Sequence, residues 1–331
     1  MNDRNKLFSV ALILLAVTTL IACSGRRHEA GEYYVMVTAN KNIPYWQTAA
    51  SGFYEAARQM NVKADVIGPD NYDTNGEKEE FQRILAKKPA GILVSPADPA
   101  LMKPEIDAAI AQGIPVITID TDSPGSNRLF FIGTNNYQAG TLGANLAVKA
   151  LNGKGNVIVF GMPNQFNIAE RMHGYKDVFA GHPGIKIVRE VDMKGDPRIV
   201  FDSVQAVLDK KEPIDAFICL ESQGGNEVAT VLRNNKTTGK VVVAMDTDDD
   251  VLKAIKDGII NGTVAQKPYT MGYIGIKAVD DFFHSKGDIA KMKDSKSPMS
   301  PLPAYIDTGA TLVDKSNVDE IQQVIKASQT K

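Results

Sequence analysis

The 331-residue sequence is poor in the residues that build metal and redox centres, with two cysteines, four histidines and one tryptophan. It is also balanced in charge, with 37 Lys and Arg against 39 Asp and Glu. Cys23 and Cys219 are too few for a disulfide scaffold or a Cys-rich zinc cluster. Four histidines do not suggest a histidine metal centre. A net charge of −2 lacks the basic footprint of a nucleic-acid binder, so no nucleic-acid partner is expected. No GxGxxG follows the first strand, and GxxxxGK[ST], GxSxG and HExxH are missing. The acidic run Asp246–Asp250 lacks the Gly and Glu spacing of a calcium loop. The expectation is therefore no catalytic residue, no cofactor and no metal. What is present is an ordinary globular composition, 44% apolar and 23% charged, in a chain long enough for about two domains.

The first residues read as an address. Arg4 and Lys6 precede an uncharged, mostly apolar run from Leu7 to Ala22. That run is short of the ~20 residues that span a membrane comfortably, and it ends in small residues, as export signals do. Leu20-Ile21-Ala22-Cys23 resembles a bacterial lipoprotein box. The resemblance implies a signal peptide over 1–22, lipidation of Cys23 and a tether over 23–31. It also implies an exported protein, periplasmic or at the cell surface, held to the membrane by its lipid. A plain signal peptide cut nearby is the alternative. Cys219 lies inside the apolar run Ala216–Leu220, where a buried thiol is expected.

Beyond the tether, short β-rich runs alternate with helical segments. Strands are expected at Tyr33–Ala39, Val62–Ile67, Gly91–Ser95, Pro115–Asp120, Phe130–Gly133, Val157–Phe160, Ile185–Val191, Ala216–Leu220, Val241–Met245 and Thr263–Gln266. Between them, helices are expected over Pro44–Met60, Gly76–Lys87, Pro104–Gln112, Asn136–Leu151, Ala169–Phe179, Arg198–Leu208, Asn226–Asn234 and Asp249–Lys256. Several strands are apolar at consecutive positions, as parallel strands covered on both faces require. The fold class is therefore α/β, with two doubly wound parallel-sheet lobes. An internal echo supports two lobes: Val116-Ile117-Thr118-Ile119-Asp120-Thr121-Asp122 is answered by Val242-Val243-Ala244-Met245-Asp246-Thr247-Asp248. Acidic residues at the carboxyl ends of parallel strands sit where open α/β sheets bind ligands. Helix capping is the competing role, and it suits Asp248, Asp249 and Asp250 better than Asp120 and Asp246.

Several motifs, in order, carry a family resemblance. Pro44-Tyr45-Trp46 follows the first strand, Gly113-Ile114-Pro115-Val116-Ile117-Thr118-Ile119-Asp120 leads to the first acidic strand end, and Gly133-Thr134-Asn135-Asn136-Tyr137-Gln138-Ala139-Gly140 follows. Ala169-Glu170-Arg171 with Gly174-Tyr175, then Asp246 and Ala265-Gln266, complete the series. From about Tyr33 to Asp307 the chain resembles the type I periplasmic sugar-binding proteins of ABC importers, the ribose-binding branch. That branch shares its fold with the effector domains of LacI repressors, whose helix-turn-helix is replaced here by the export signal.

The resemblance implies an N-terminal lobe of 32–134 plus 267–300 and a C-terminal lobe of 135–266 plus 301–331. A three-segment hinge would cross near Thr134–Asn136, Gln266–Pro268 and Pro301–Pro303. Tyr45 and Trp46 would stack on a sugar ring, and Asp120, Asn136, Arg171, Asp246 and Gln266 would bond its hydroxyls. Thr121 and Glu221 are further candidates, and Thr38 lies close to a family ligand position. Asn135 and Asn136 could instead cap the next helix. Two departures argue against ribose itself: Thr121 stands where that branch has Arg, and no aromatic is found over Met193–Asp196. A hexose, a polyol or an amine-bearing ligand fits better. The implied protein is a monomer that closes on its ligand and hands it to a permease with its ATPase. A sensor subunit for a chemoreceptor or histidine kinase, and an exported glycoside-processing enzyme, are the alternatives.

Overall fold

Strands that are apolar at every position need cover on both faces, and the fold supplies it twice. The computed structural model describes residues 28–29, 31–285 and 302–329. The signal peptide, Cys23 and most of the expected tether lie outside the described residues.

In the first sheet, β1 (Tyr33–Val37) is flanked by β2 (Lys63–Ile67) on one side. On its other side lie β3 (Gly91–Val94), β4 (Val116–Ile119), β5 (Phe131–Gly133) and β11 (Tyr305–Asp307). All of its pairings are parallel. In the second, β6 (Gly155–Gly161) is flanked by β7 (Ile185–Asp192) and, on the other side, by β8 (Ala216–Cys219), β9 (Val241–Met245), β10 (Gly262–Ala265) and β12 (Thr311–Asp314). Only the β10–β12 pair is antiparallel. The two lobes thus share one strand order, with a switch of direction beside β1 and beside β6. Ligands bind at the carboxyl ends of strands at such a switch.

The period of two explains the consecutive apolar residues. In β8, Ala216 and Ile218 enter one core with Val157, Val159, Val241 and Val243. Phe217 and Cys219 enter another with Ile158, Phe160, Val242 and Ala244. Helices α4 (Asn136–Ala150) and α5 (Phe166–Ala180) cover the first of these cores. The second is covered by α6 (Pro197–Asp209), α7 (Gly224–Asn234) and α8 (Asp249–Lys256), with Val318, Ile321 and Ile325 of α10 (Val318–Gln329) against it. Cys219 is buried, a free thiol, as its apolar run implied. The first lobe is covered by α1 (Pro44–Met60), α2 (Thr74–Leu85), α3 (Pro99–Ala111) and α9 (Pro268–His284).

Two expectations are corrected. The helix expected from Pro104 begins at Pro99, because the Asp98 carboxylate accepts from the N–H groups of Ala100 and Leu101, and Pro104 is accommodated inside the helix. The third crossing is not at Pro301–Pro303. Tyr305, Ile306 and Asp307 pair in parallel with Phe131, Ile132 and Gly133, so the chain stays with the first sheet and crosses between Asp307 and Thr311. The other two crossings run from Gly133 to Asn136 and from Ala265 to Pro268.

Candidate functional site

The two acidic strand ends of the sequence echo are alike in backbone as well as in residue type. Asp120 follows β4 and Asp246 follows β9, and both hold the left-handed conformation, with φ of 63° and 68°. Asp tolerates this conformation better than most residues, and non-Gly residues in it concentrate where a site fixes the backbone. The turn aims both carboxylates into the cleft between the lobes.

Tyr45, Trp46, Asp120, Thr121, Arg171, Glu221, Asp246 and Gln266 all line this cleft. The first four belong to the first lobe. Arg171 and Glu221 belong to the second, as does Asp246, while Gln266 sits at a crossing. The cleft is partly open to solvent and has a volume of about 60 Å³.

The polar groups fall into several separate hydrogen-bonded pairs around the cleft. The Tyr45 hydroxyl donates to Asp120 Oδ1 at 2.6 Å, and its ring meets Trp46 edge to face at 5.1 Å. Trp46 Nε1 donates to Asn40 Oδ1 at 3.0 Å, so the indole is both core and cleft wall. Arg171, 2% exposed, donates from Nε to Asn136 Oδ1 at 2.9 Å and from Nη1 to the Leu220 carbonyl at 2.7 Å. Gln266 Nε2 donates to Asp246 Oδ1 at 3.0 Å. Glu221 accepts from the backbone N–H groups of Gln223 and Gly224 at 2.8 and 2.6 Å, which begins α7 two residues earlier than expected.

Two buried atoms have no partner among these groups: Arg171 Nη2, a donor, and Gln266 Oε1, an acceptor. Burial raises the pKa of all three carboxylic acids. For Asp120 the opposing influences are Arg171 and the Tyr45 hydroxyl. For Glu221 they are its two backbone N–H donors and Arg171. Asp246 is pushed up to about 7 by burial, with Arg171 and Gln266 opposing and Asp248 and Asp120 adding to the rise.

Some residues take other places. Asn136 does not line the cleft; it stands behind Arg171 and orients it. Asn135 caps α4, accepting from Gln138 N–H at 3.0 Å. Thr38 is fully buried and does not line the cleft, whereas the neighbouring Ala39 and Asn40 do. Asp248 precedes α8 but its side chain makes no capping bond.

Sequence reading missed three residues that bridge the lobes. Asn167 Nδ2, from the first turn of α5, donates to Asp120 Oδ2 at 3.3 Å. Gln165 Nε2 donates to the Tyr72 hydroxyl at 3.2 Å. Tyr72, from the loop before α2, lines the cleft as an additional aromatic face. It lies against Gly195, where a Cβ would come within 2.3 Å of the Tyr72 ring and where φ is +73°. Tyr72 of the opposite lobe thus packs against the Met193–Asp196 segment, which itself carries no aromatic. Neither Tyr72 nor Gln165 carries a local signal, because their meeting depends on how the lobes face each other. Asn167, two residues before Ala169-Glu170-Arg171, was within reach of that motif.

Two doubly wound lobes, linked by three crossings and facing each other across a polar cleft, define a two-lobe binding protein. The chain belongs to the periplasmic binding protein family, whose domain model matches residues 33–286. It is 26% identical over 292 residues to the D-allose-binding periplasmic protein of Escherichia coli (strain K12), covering 85% of this chain and 92% of that one. A solute-binding protein of an ABC transporter from Burkholderia graminis C4D1M, solved in complex with D-arabinose, superimposes with a TM-score of 0.79 at 29% identity. That match covers 88% of this chain and 98% of the other. An arabinose-binding protein from Geobacillus stearothermophilus gives a TM-score of 0.72 at 32% identity, covering 88% and 99%.

Proposed function

We propose that the protein is the extracytoplasmic solute-binding component of an ABC importer and captures one monosaccharide or similar polyol in the interlobe cleft. The observation that carries this is the unpaired pair of buried atoms, Arg171 Nη2 and Gln266 Oε1, in a cleft rich in carboxylates. A sugar hydroxyl both donates and accepts, so one ring can satisfy a guanidinium donor, an amide acceptor and carboxylate acceptors together. Burying such groups is costly unless partners complete them. Tyr45, Trp46 and Tyr72 offer apolar faces to the ring's C–H surface. Support also comes from relatives named for D-allose, ribose and D-apiose and from family members that are binding proteins rather than enzymes.

A ligand bound only by the native state raises the melting temperature. In a thermal-shift panel of D-allose, D-ribose, D-arabinose, D-apiose, galactose and inositol, at least one compound should raise it saturably. No shift with any monosaccharide or polyol at millimolar concentration would overturn the proposal.

The lipid anchor at Cys23 is also our proposal, resting on Leu20-Ile21-Ala22-Cys23. Cys23→Ser should release the protein in soluble form, and mass spectrometry of the wild-type N-terminus should find lipid on Cys23. A cleaved, unmodified terminus would contradict it.

A further inference from the structure

A second cluster of chemistry-bearing side chains lies outside the cleft. His28 and Glu32 precede β1, and Asp280 and His284 lie one turn apart on α9. None of the four lines the cleft. His28 Nδ1 is 3.2 Å from Glu32 Oε2 and 3.2 Å from Asp280 Oδ1. His284 Nε2 is 3.0 Å from Glu32 Oε1, and its Nδ1 is 3.0 Å from the Asp280 carbonyl oxygen. One ligand atom from each of the four residues falls within 4.8 Å of every other.

Both carboxylates are nearly inaccessible, with side chains 5% and 3% exposed. Buried acids need compensating positive charge or hydrogen-bond donors. A neutral His284 that donates its one proton from Nδ1 to the Asp280 carbonyl leaves a bare Nε2 lone pair facing Glu32 Oε1. Two acceptors then oppose each other at 3.0 Å, a contact resolved by the other tautomer, by a second proton or by a metal ion in the proton's place. The outer contacts are those of a held ligand set. Glu29 N–H donates to Glu32 Oε1 at 2.7 Å, and the Tyr34 hydroxyl donates to Asp280 Oδ1 at 2.7 Å. A carbonyl on one imidazole nitrogen, orienting the other toward a metal, is the usual outer-shell arrangement.

Three of the six ligand pairs are close to the edges of a tetrahedral ion, and all six lie within 4.8 Å. Ligands about 2.0–2.2 Å from zinc lie roughly 3.3–3.5 Å from one another, and the N···O pairs here are a few tenths of an ångström shorter. Two imidazole nitrogens with two carboxylate oxygens suit zinc, whereas calcium and magnesium take oxygen ligands.

We propose that His28, Glu32, Asp280 and His284 form a structural zinc site. Four protein ligands leave no open position for chemistry. The ion would clip the segment before β1 to the end of α9, joining residues 252 positions apart. Binding to the native arrangement alone then adds to stability.

The test uses the full chain without a histidine tag, stripped with chelator and titrated with zinc chloride. One zinc per chain should remain after desalting, the melting temperature should rise by several degrees, and X-ray absorption should show two histidine nitrogens and two oxygens near 2.0–2.2 Å. Calcium and magnesium should give no comparable rise. His28→Ala, His284→Ala and the shape-conserving Glu32→Gln should each lose at least tenfold in zinc affinity. His173→Ala, at an exposed histidine outside the cluster, should keep it. No zinc retained at micromolar concentration would mean that the cluster is an ion-pair network only, and zinc retained equally by Glu32→Gln and His284→Ala would place the ion elsewhere. Either result overturns the proposal. Should a histidine variant fail to fold, Glu32→Gln and the wild-type absorption spectrum still decide.

Discussion

Asp246→Ala should weaken sugar binding by roughly ten- to a hundred-fold in calorimetric titration while leaving the fold intact. Its carboxylate is buried in the cleft and held by Gln266. Removing it strands the ligand hydroxyls it would receive and frees Gln266 Nε2. An unpaired buried polar group costs about 1–3 kcal/mol, and about 1.4 kcal/mol is a decade of affinity. Arg171→Ala should lose as much or more, because Asn136 Oδ1 and the Leu220 carbonyl lose their donor as well. Asp249→Ala, at an exposed residue in the first turn of α8 that does not line the cleft, should match wild type in affinity. Equal affinity for Asp246→Ala and wild type would mean that the ligand sits elsewhere.

The same residue carries a pH dependence. The folded chain keeps the Asp246 proton up to about pH 7, whereas the ordinary value is 3.8. Between these values the native state binds more protons than the unfolded state, so this group's contribution to stability falls as pH rises through the window. Asp246→Asn keeps an acceptor for Gln266 and removes that loss. Its melting temperature relative to ligand-free wild type should therefore be higher at pH 8 than at pH 5. A constant difference would show that Asp246 ionises normally.

Gly140→Val should destabilise the second lobe and weaken binding together. A Cβ at Gly140 would lie 2.1 Å from the Arg171 carbonyl oxygen, so α4 and α5 touch there through backbone. Valine forces the helices apart and moves the guanidinium with them. Overpacking costs about 1–3 kcal/mol, and each kcal/mol is worth roughly 2–4 °C in a domain of this size. The loss of affinity should accompany a melting temperature lower by several degrees. Gly181→Ala, at the end of α5, meets nothing closer than 3.4 Å and should change neither. A Gly140→Val protein with wild-type melting and affinity would contradict the close packing.

Gly140 also shows why short motifs were informative. Its motif and that of Ala169-Glu170-Arg171 with Gly174-Tyr175 lie on the two helices whose glycines let them meet behind the guanidinium. A Cβ at Gly174 would likewise strike the Tyr137 carbonyl oxygen, at 2.4 Å. Local patterns therefore carried the parallel strands and the two acidic strand ends, whereas the other cleft residues came from the family resemblance of the spaced motifs. Asn136 was separated from the cleft by a contact that sequence does not display, its bond to Arg171. Tyr72 and Gln165 became visible only with both lobes in place. The three-residue β11 has no periodicity long enough to read, and its pairing with β5 moved the third crossing beyond Asp307.

Capture between lobes requires that both sides hold the ligand and that this differential contact biases the closed arrangement. Asp120, Tyr45 and Trp46 on one lobe face Arg171 and Asp246 on the other. Small-angle X-ray scattering of the chain, titrated with the sugar giving the largest thermal shift, tests this most directly. The radius of gyration should fall by a small amount that saturates with the same midpoint as calorimetric binding. A profile unchanged at saturating sugar would contradict closure of the lobes around the ligand.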